Sequence, residues 1–240
     1  MAINTARLDR LISDLCQINR KKVRLVLAQK RVYVDGVLAT DIAQLVDQFS
    51  HVVMDDEVLQ ANQTHYIMLN KPIGVVCATK DEKHKTVIDL LAGQYEQEIL
   101  DNLHIVGRLD LNTSGLVLLT NDSRWSERLT SPEHKVSKCY RVTLENVLTP
   151  DYIDAFTNGM YFSYENITTK PATLLIVSQF EAQVTLTEGR YHQIKRMFGR
   201  FRNPVVALHR DSIGKVHLDE SLKEGESRAL NISEVTSINS

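Results

Sequence analysis

The apolar positions of the chain open with two amphipathic stretches. Leu8, Leu11, Ile12 and Leu15 recur at helical spacing, and Asn19 stands where it can cap a second helix whose apolar side is Val23, Val26 and Leu27. The period then shortens to strict alternation in Arg31-Val32-Tyr33-Val34-Asp35-Gly36-Val37, which ends on an Asp-Gly turn signal, and Val52 to Met54 predicts a further strand. This pattern predicts a compact helix-helix-hairpin module that ends near Leu59. Gln60 to Thr64 is polar and aperiodic, reads as a linker, and divides the chain into domains 1–60 and 61–240.

From His65 onward strands dominate. They are predicted at Tyr66 to Leu69, Ile73 to Ala78, Leu116 to Thr120, Tyr140 to Leu144, Ala172 to Ser178, Ala182 to Leu186 and Val205 to His209. Helices are predicted between them at Thr86 to Leu91, Asp122 to Leu129 with Asp122 as N-cap, Pro150 to Phe156 with Pro150 in the first turn, and Tyr191 to Phe201. Strand and helix do not alternate regularly. The expected class is therefore α+β, with a mixed, largely antiparallel sheet flanked by helices.

At 240 residues the chain can bury a sizeable core, and its apolar and charged fractions are ordinary for a folded globular protein. No stretch is long enough to cross a bilayer and the opening residues lack the apolar run of a signal peptide, so no membrane partner and a cytoplasmic location are expected. Cys16, Cys77 and Cys139 are far apart and outside metal-ligand spacing, which predicts reduced structural thiols and no metal. The net charge of -2 argues against nucleic acid until its distribution is considered. Arg7, Arg10, Arg20, Lys21, Lys22, Arg24, Lys30 and Arg31 face only Asp9 and Asp14, whereas residues 32 to 60 hold acids and no Lys or Arg. A second basic cluster runs through Arg190, Lys195, Arg196, Arg200, Arg202, Arg210 and Lys215, offset by Glu188 and Asp211. Nucleic acid responds to local potential, so these clusters outweigh the net charge.

The most unusual segment is Gly107-Arg108-Leu109-Asp110-Leu111-Asn112-Thr113-Ser114-Gly115, set directly before the apolar run Leu116-Val117-Leu118-Leu119. A polar loop placed before a core strand is held rigidly by the sheet behind it, as a site must be. Asp110 is its only carboxylate and Arg108 its cation. From spacing alone, a turn-capping Asp110 paired with Arg108 explains the loop as well as a catalytic one does.

The loop resembles the signature loop of pseudouridine synthases in the form used by the RsuA branch. The resemblance extends to Leu69-Asn70-Lys71-Pro72, to Lys138-Cys139-Tyr140-Arg141-Val142 and to Glu188-Gly189-Arg190-Tyr191-His192-Gln193-Ile194-Lys195-Arg196-Met197, covering residues 65 to about 215. Residues Arg7-Leu8-Asp9 through Arg31-Val32-Tyr33-Val34-Asp35-Gly36 resemble more loosely the S4 RNA-binding domain that precedes the catalytic domain in this branch. Asn19-Arg20 stands where Ser-Arg is common, and Lys30 where a Gly is common.

The resemblance implies an isomerase that breaks the N-glycosidic bond of a uridine and rejoins the turned base through carbon, which requires no redox change; no cofactor is expected. It implies that Asp110 is the attacking carboxylate, that Lys195 is its basic partner and that Tyr140 packs on the flipped base. Arg108 would hold the RNA open. Arg196 would bind RNA beside the site, Lys71 and Arg190 would either contact the RNA backbone or support the site from behind, Arg20, Lys21, Lys22, Arg24 and Arg31 would bind RNA from the first domain, and His192 is left between a supporting role and a packed sheet histidine. The implied partner is ribosomal RNA, 16S rRNA in a partly assembled small subunit, at uridine 516; no obligate protein partner is evident. A synthase acting on 23S rRNA and a non-catalytic rRNA-binding assembly factor are the alternatives.

Overall fold

The computed structural model describes residues 5–239. The chain divides into two compact units, Met1–Thr64 and His65–Ser240.

In the first unit, helices Leu8–Cys16 and Arg20–Ala28 bury Leu8, Ile12, Val23, Val26 and Leu27 against the strands Val32–Val34 and Val52–Met54. The Asn19 side chain accepts a hydrogen bond from Lys22 N, so the second helix starts where the sequence placed its cap. It ends with Lys30 in the left-handed region at φ 60°, with Lys30 N donating to Leu27 O and Arg31 N to Val26 O. Those two bonds form a Schellman cap, which explains why a Gly suits this position. Asp35 and Gly36, both at positive φ, then turn the chain into Val37–Leu38. Val52–Met54 and Glu57–Gln60 complete a four-stranded sheet. Gln60, expected in the linker, belongs to its last strand, and its Nε2 donates to Asp47 O and Ser50 O.

The second unit is built on a nine-stranded mixed sheet. Its main path runs Thr173–Ile176, Glu181–Leu186, Lys138–Leu144, Val205–Ile213, Ser114–Thr120, Tyr66–Lys71 and Ser227–Ala229. Neighbours are antiparallel except Val205–Ile213 with Ser114–Thr120, which pair in parallel at His209–Ser114 and Arg210–Gly115. Every residue of Ser114–Thr120 is buried, because the strand is covered on both faces. Val117 and Leu119 join a core with Tyr140, Phe156, Met197 and Phe198, whereas Leu116 and Leu118 join Met68, Trp125 and Leu129. That two-sided burial explains the unbroken apolar run in the sequence.

Three expected elements differ in the structure. Ile73 to Ala78 is not a strand: Gly74 stands at φ 84°, and the segment makes only an isolated bridge from Val76 to Thr86. Its backbone serves the neighbouring loop instead, since Gly74 N donates to Leu111 O. Thr86 to Leu91 shortens to the 3-10 turn Asp89–Leu91, tied by reciprocal Thr86 and Asp89 side-chain bonds. The helix expected from Tyr191 spans Gln193–Gly199, because His192 adopts φ 49° and cannot continue a right-handed helix. Among the described residues no helix is long and apolar enough to cross a membrane, and the three cysteines are unbridged.

Candidate active site

Residues 107–113 leave the sheet after strand His104–Val106 and return to it at Ser114. Several groups hold this loop. Thr113 N donates to Asp110 O at 3.1 Å and closes a turn, and Leu109 N donates to the Cys77 Sγ at 3.3 Å. Burial pushes the Cys77 thiol up, so it stays protonated and acts as a weak acceptor. Lys71, wholly buried, sends its ammonium to Thr113 O at 2.8 Å and Pro72 O at 2.9 Å. Burial lowers the Lys71 ammonium below its ordinary range, and the nearby Asp110 carboxylate opposes that shift.

The loop presents Asp110, one-third exposed, at a pocket lined by Arg108, Leu109, Thr113, Tyr140, Leu186, Gln193, Ile194, Lys195 and Leu208. Lys195 Nζ stands 3.8 Å and His192 Nε2 3.4 Å from the same carboxylate oxygen, Oδ2. His192 in turn stacks on Tyr191 with ring centroids 3.9 Å apart, so its left-handed backbone and this stacking both aim the imidazole at Asp110. Tyr140 enters from strand Lys138–Leu144, 8% exposed, and forms a wall with Leu186, Ile194 and Leu208. The pocket therefore combines an apolar slot with a single carboxylate and two cationic or polar neighbours. A flat, partly polar ring fits such a slot.

Residues 65–199 match the family model described as RNA pseudouridylate synthase. That span contains the loop, the pocket tyrosine and the pocket lysine. The chain belongs to the RNA pseudouridylate synthase family. A protein of Pseudomonas aeruginosa named ribosomal small subunit pseudouridine synthase A is 44% identical over 97% of this chain and 100% of its own length. The protein of the same name from Escherichia coli K12 is 39% identical over 97% of this chain and 99% of its own. A crystal structure of a pseudouridylate synthase superposes with a TM-score of 0.70 at 39% identity, covering 97% of this chain and 99% of that one.

In this pseudouridylate synthase the site residues read from the sequence separate into groups. Asp110, Tyr140, Lys195, Arg108 and Arg190 converge on the pocket. Arg108 is exposed and its side chain has no partner among the described residues. Arg190 lines the pocket while its Nε donates to the buried Glu188 at 3.0 Å. Arg20, Lys21, Lys22 and Arg24 lie exposed on one helix of the first unit, and Arg31 is paired with Asp55.

Two expectations need correction. Of the two roles open to Lys71, the RNA contact falls away and the supporting one remains, because it is buried beneath the loop and its protons go to backbone carbonyls. Arg196 is committed elsewhere: its guanidinium meets Glu165 with both Nη atoms and lies 3.8 Å over the Phe162 ring, which leaves it poorly placed for phosphate. The second basic cluster is accordingly not one continuous face, and its member Arg210 is buried as well. The sequence reading left out the placement of His192 beside Asp110, for which its position three residues before Lys195 on a turn-rich stretch was the only signal.

Proposed function

We propose that this synthase converts a uridine of small-subunit ribosomal RNA into pseudouridine, with Asp110 acting on the nucleotide. One observation carries the reading: a partly exposed carboxylate stands at a pocket walled by Tyr140, Leu186, Ile194 and Leu208, with Lys195 and His192 beside its Oδ2. Isomerisation breaks N1–C1′, turns the base and forms C5–C1′; the proton on C5 leaves and N1 gains one, so nothing is added or removed overall. A carboxylate suits this sequence because it can bond to carbon, depart again and accept a proton. Attack at the ribose carbon and attack at the base both begin from the same position of Asp110. Tyr140 supplies the face on which an extruded base rests, and Arg108, exposed at the rim, occupies the space the base would vacate in the RNA.

The substrate assignment draws on the relatives named for the small subunit, which match this chain over 97% of its length, a span that must include most of its basic first unit. The target on this reading is uridine 516 of 16S rRNA, met in a partly assembled particle. The test is Asp110→Asn in parallel with wild type on small-subunit and large-subunit rRNA, with site-resolved detection of the isomerised base. Wild type modifies the small subunit, and the variant binds RNA with unchanged affinity and yields no product. Product in the large subunit alone would move the substrate to 23S rRNA, and equal turnover by the variant would remove Asp110 from its role. No turnover by wild type on either RNA, free or assembled, would favour a non-catalytic assembly factor.

A further inference from the structure

The loop that carries Asp110 is bridged from beneath by one side chain. Arg210 is 2% exposed. Its Nη2 donates to Gly107 O at 2.7 Å and its Nη1 to Arg108 O at 3.4 Å on the outgoing limb, while Nε donates to Leu116 O at 2.8 Å on the returning strand. Among the described residues no carboxylate pairs with it. The backbone of Arg210 is also the register partner of Tyr140 on one side and of Gly115 on the other. The Gly115 contact is close enough that a Cβ there would stand 2.4 Å from Arg210 O. One residue thus joins, through its backbone, the strand that carries Tyr140 and, through its guanidinium, both ends of the loop that carries Asp110.

An apolar side chain would fill the same volume without burying a charge, and buried ionic groups are often replaced by apolar ones at no loss of stability. What an apolar side chain cannot do is hold three carbonyls at fixed angles. A planar fork with donors on three nitrogens can, whereas a lysine ammonium on a flexible stem reaches fewer.

We propose that Arg210 is a positioning residue: it fixes the Asp110 loop relative to Tyr140 and so sets the rate of the chemical step without touching RNA. This rests on the reading of Asp110 as the group that acts on the nucleotide. Displacing a reacting group by about 1 Å costs on the order of 100-fold in rate, while substrate contacts made elsewhere are unaffected.

The experiment uses the full chain with Arg210→Lys, Arg210→Met and Arg210→Ala, with Asp110→Asn in parallel. Turnover, KM and RNA affinity are measured on the rRNA that wild type modifies, below each variant's melting temperature. The expected result is a kcat lower by about 100-fold for Met and by less for Lys, with KM and RNA Kd within about twofold of wild type. Millimolar methylguanidinium is expected to restore part of the kcat of Arg210→Ala and to leave wild type unchanged, a response that lost stability alone would not produce. Wild-type kcat in folded Arg210→Lys and Arg210→Met overturns the proposal, as does a loss carried by KM and Kd with kcat intact. If the Met and Ala variants fail to fold, Arg210→Lys decides, since it keeps the charge and most of the stem: a full kcat there overturns the proposal and a lowered kcat at unchanged KM supports it. An active Asp110→Asn would instead defeat the reading of the site, which keeps the two failures apart.

Discussion

Asp110, Lys71 and Arg210 show how differently one charge can be used at short range in the same fold. The carboxylate is only partly covered and faces the pocket, whereas the two cations beneath it spend their protons on the carbonyls of the loop. Depth separates these roles, and depth is not written in residue type. The sequence therefore led to Asp110, Tyr140 and Lys195, but it left Lys71 between contacting RNA and supporting the site, and it read Arg210 as part of a basic cluster. Lys30 makes the opposite case, since a backbone requirement was visible at a residue that departs from the Gly expected there. A non-glycine residue at φ 60° carries strain of about 1 kcal/mol. Lys30→Gly should therefore raise the stability of the first unit by up to about that amount, because the Schellman bonds of Lys30 N and Arg31 N remain. Urea unfolding of wild type and variant would measure it, and a variant of equal or lower stability would show that the strain is already relieved elsewhere.

Helix Ser123–Thr130 begins where Asp122 accepts from Arg124 N and Trp125 N, and the other Asp122 oxygen accepts from the Tyr66 hydroxyl at 2.8 Å. One side chain thereby caps the helix and fixes it to the first strand of the second unit. Asp122→Ala should cost about 1–2 kcal/mol, seen as a lowered melting temperature, with kcat unchanged at temperatures where the protein stays folded. A fall in kcat well below melting would mean that this face of the sheet reaches the pocket. Elements with such local signals were legible: the caps Asn19 and Asp122, and Pro150 at the start of Asp151–Asn158, all marked real helices. Elements defined by distant partners were not. Ser227–Ala229 is a strand only because Ile67 to Leu69 lies beside it, and Ile73 to Ala78, apolar enough to read as a strand, gives its backbone to the loop that carries Asp110. Strand His104–Val106 was hidden in the same way, being short and ordered by Leu118 to Thr120.

Each of the two units has its own core, so the contribution of each to RNA binding and to turnover can be measured separately. The exposed Arg20, Lys21, Lys22 and Arg24 make the first unit the natural source of backbone affinity, since each phosphate contact steepens the salt dependence by roughly 0.7–0.9 in the log–log slope. Deleting residues 1–64 should flatten that slope and weaken RNA binding while leaving single-turnover chemistry on saturating RNA within a fewfold of wild type. An unchanged slope in binding titrations at several salt concentrations would deny the first unit that role.

The pairing of Ser227–Ala229 with Tyr66–Lys71 also bears on how the molecule comes into being. The first unit is assembled from neighbours in sequence and can settle while later residues are still being translated. The sheet of the second unit cannot, because its strand Tyr66–Lys71 waits for Ser227–Ala229, far later in the chain, and Arg210, which closes the loop of Asp110, is itself a late arrival. A nascent chain stalled shortly before Ser227 would thus hold a finished first unit and an unfinished second one.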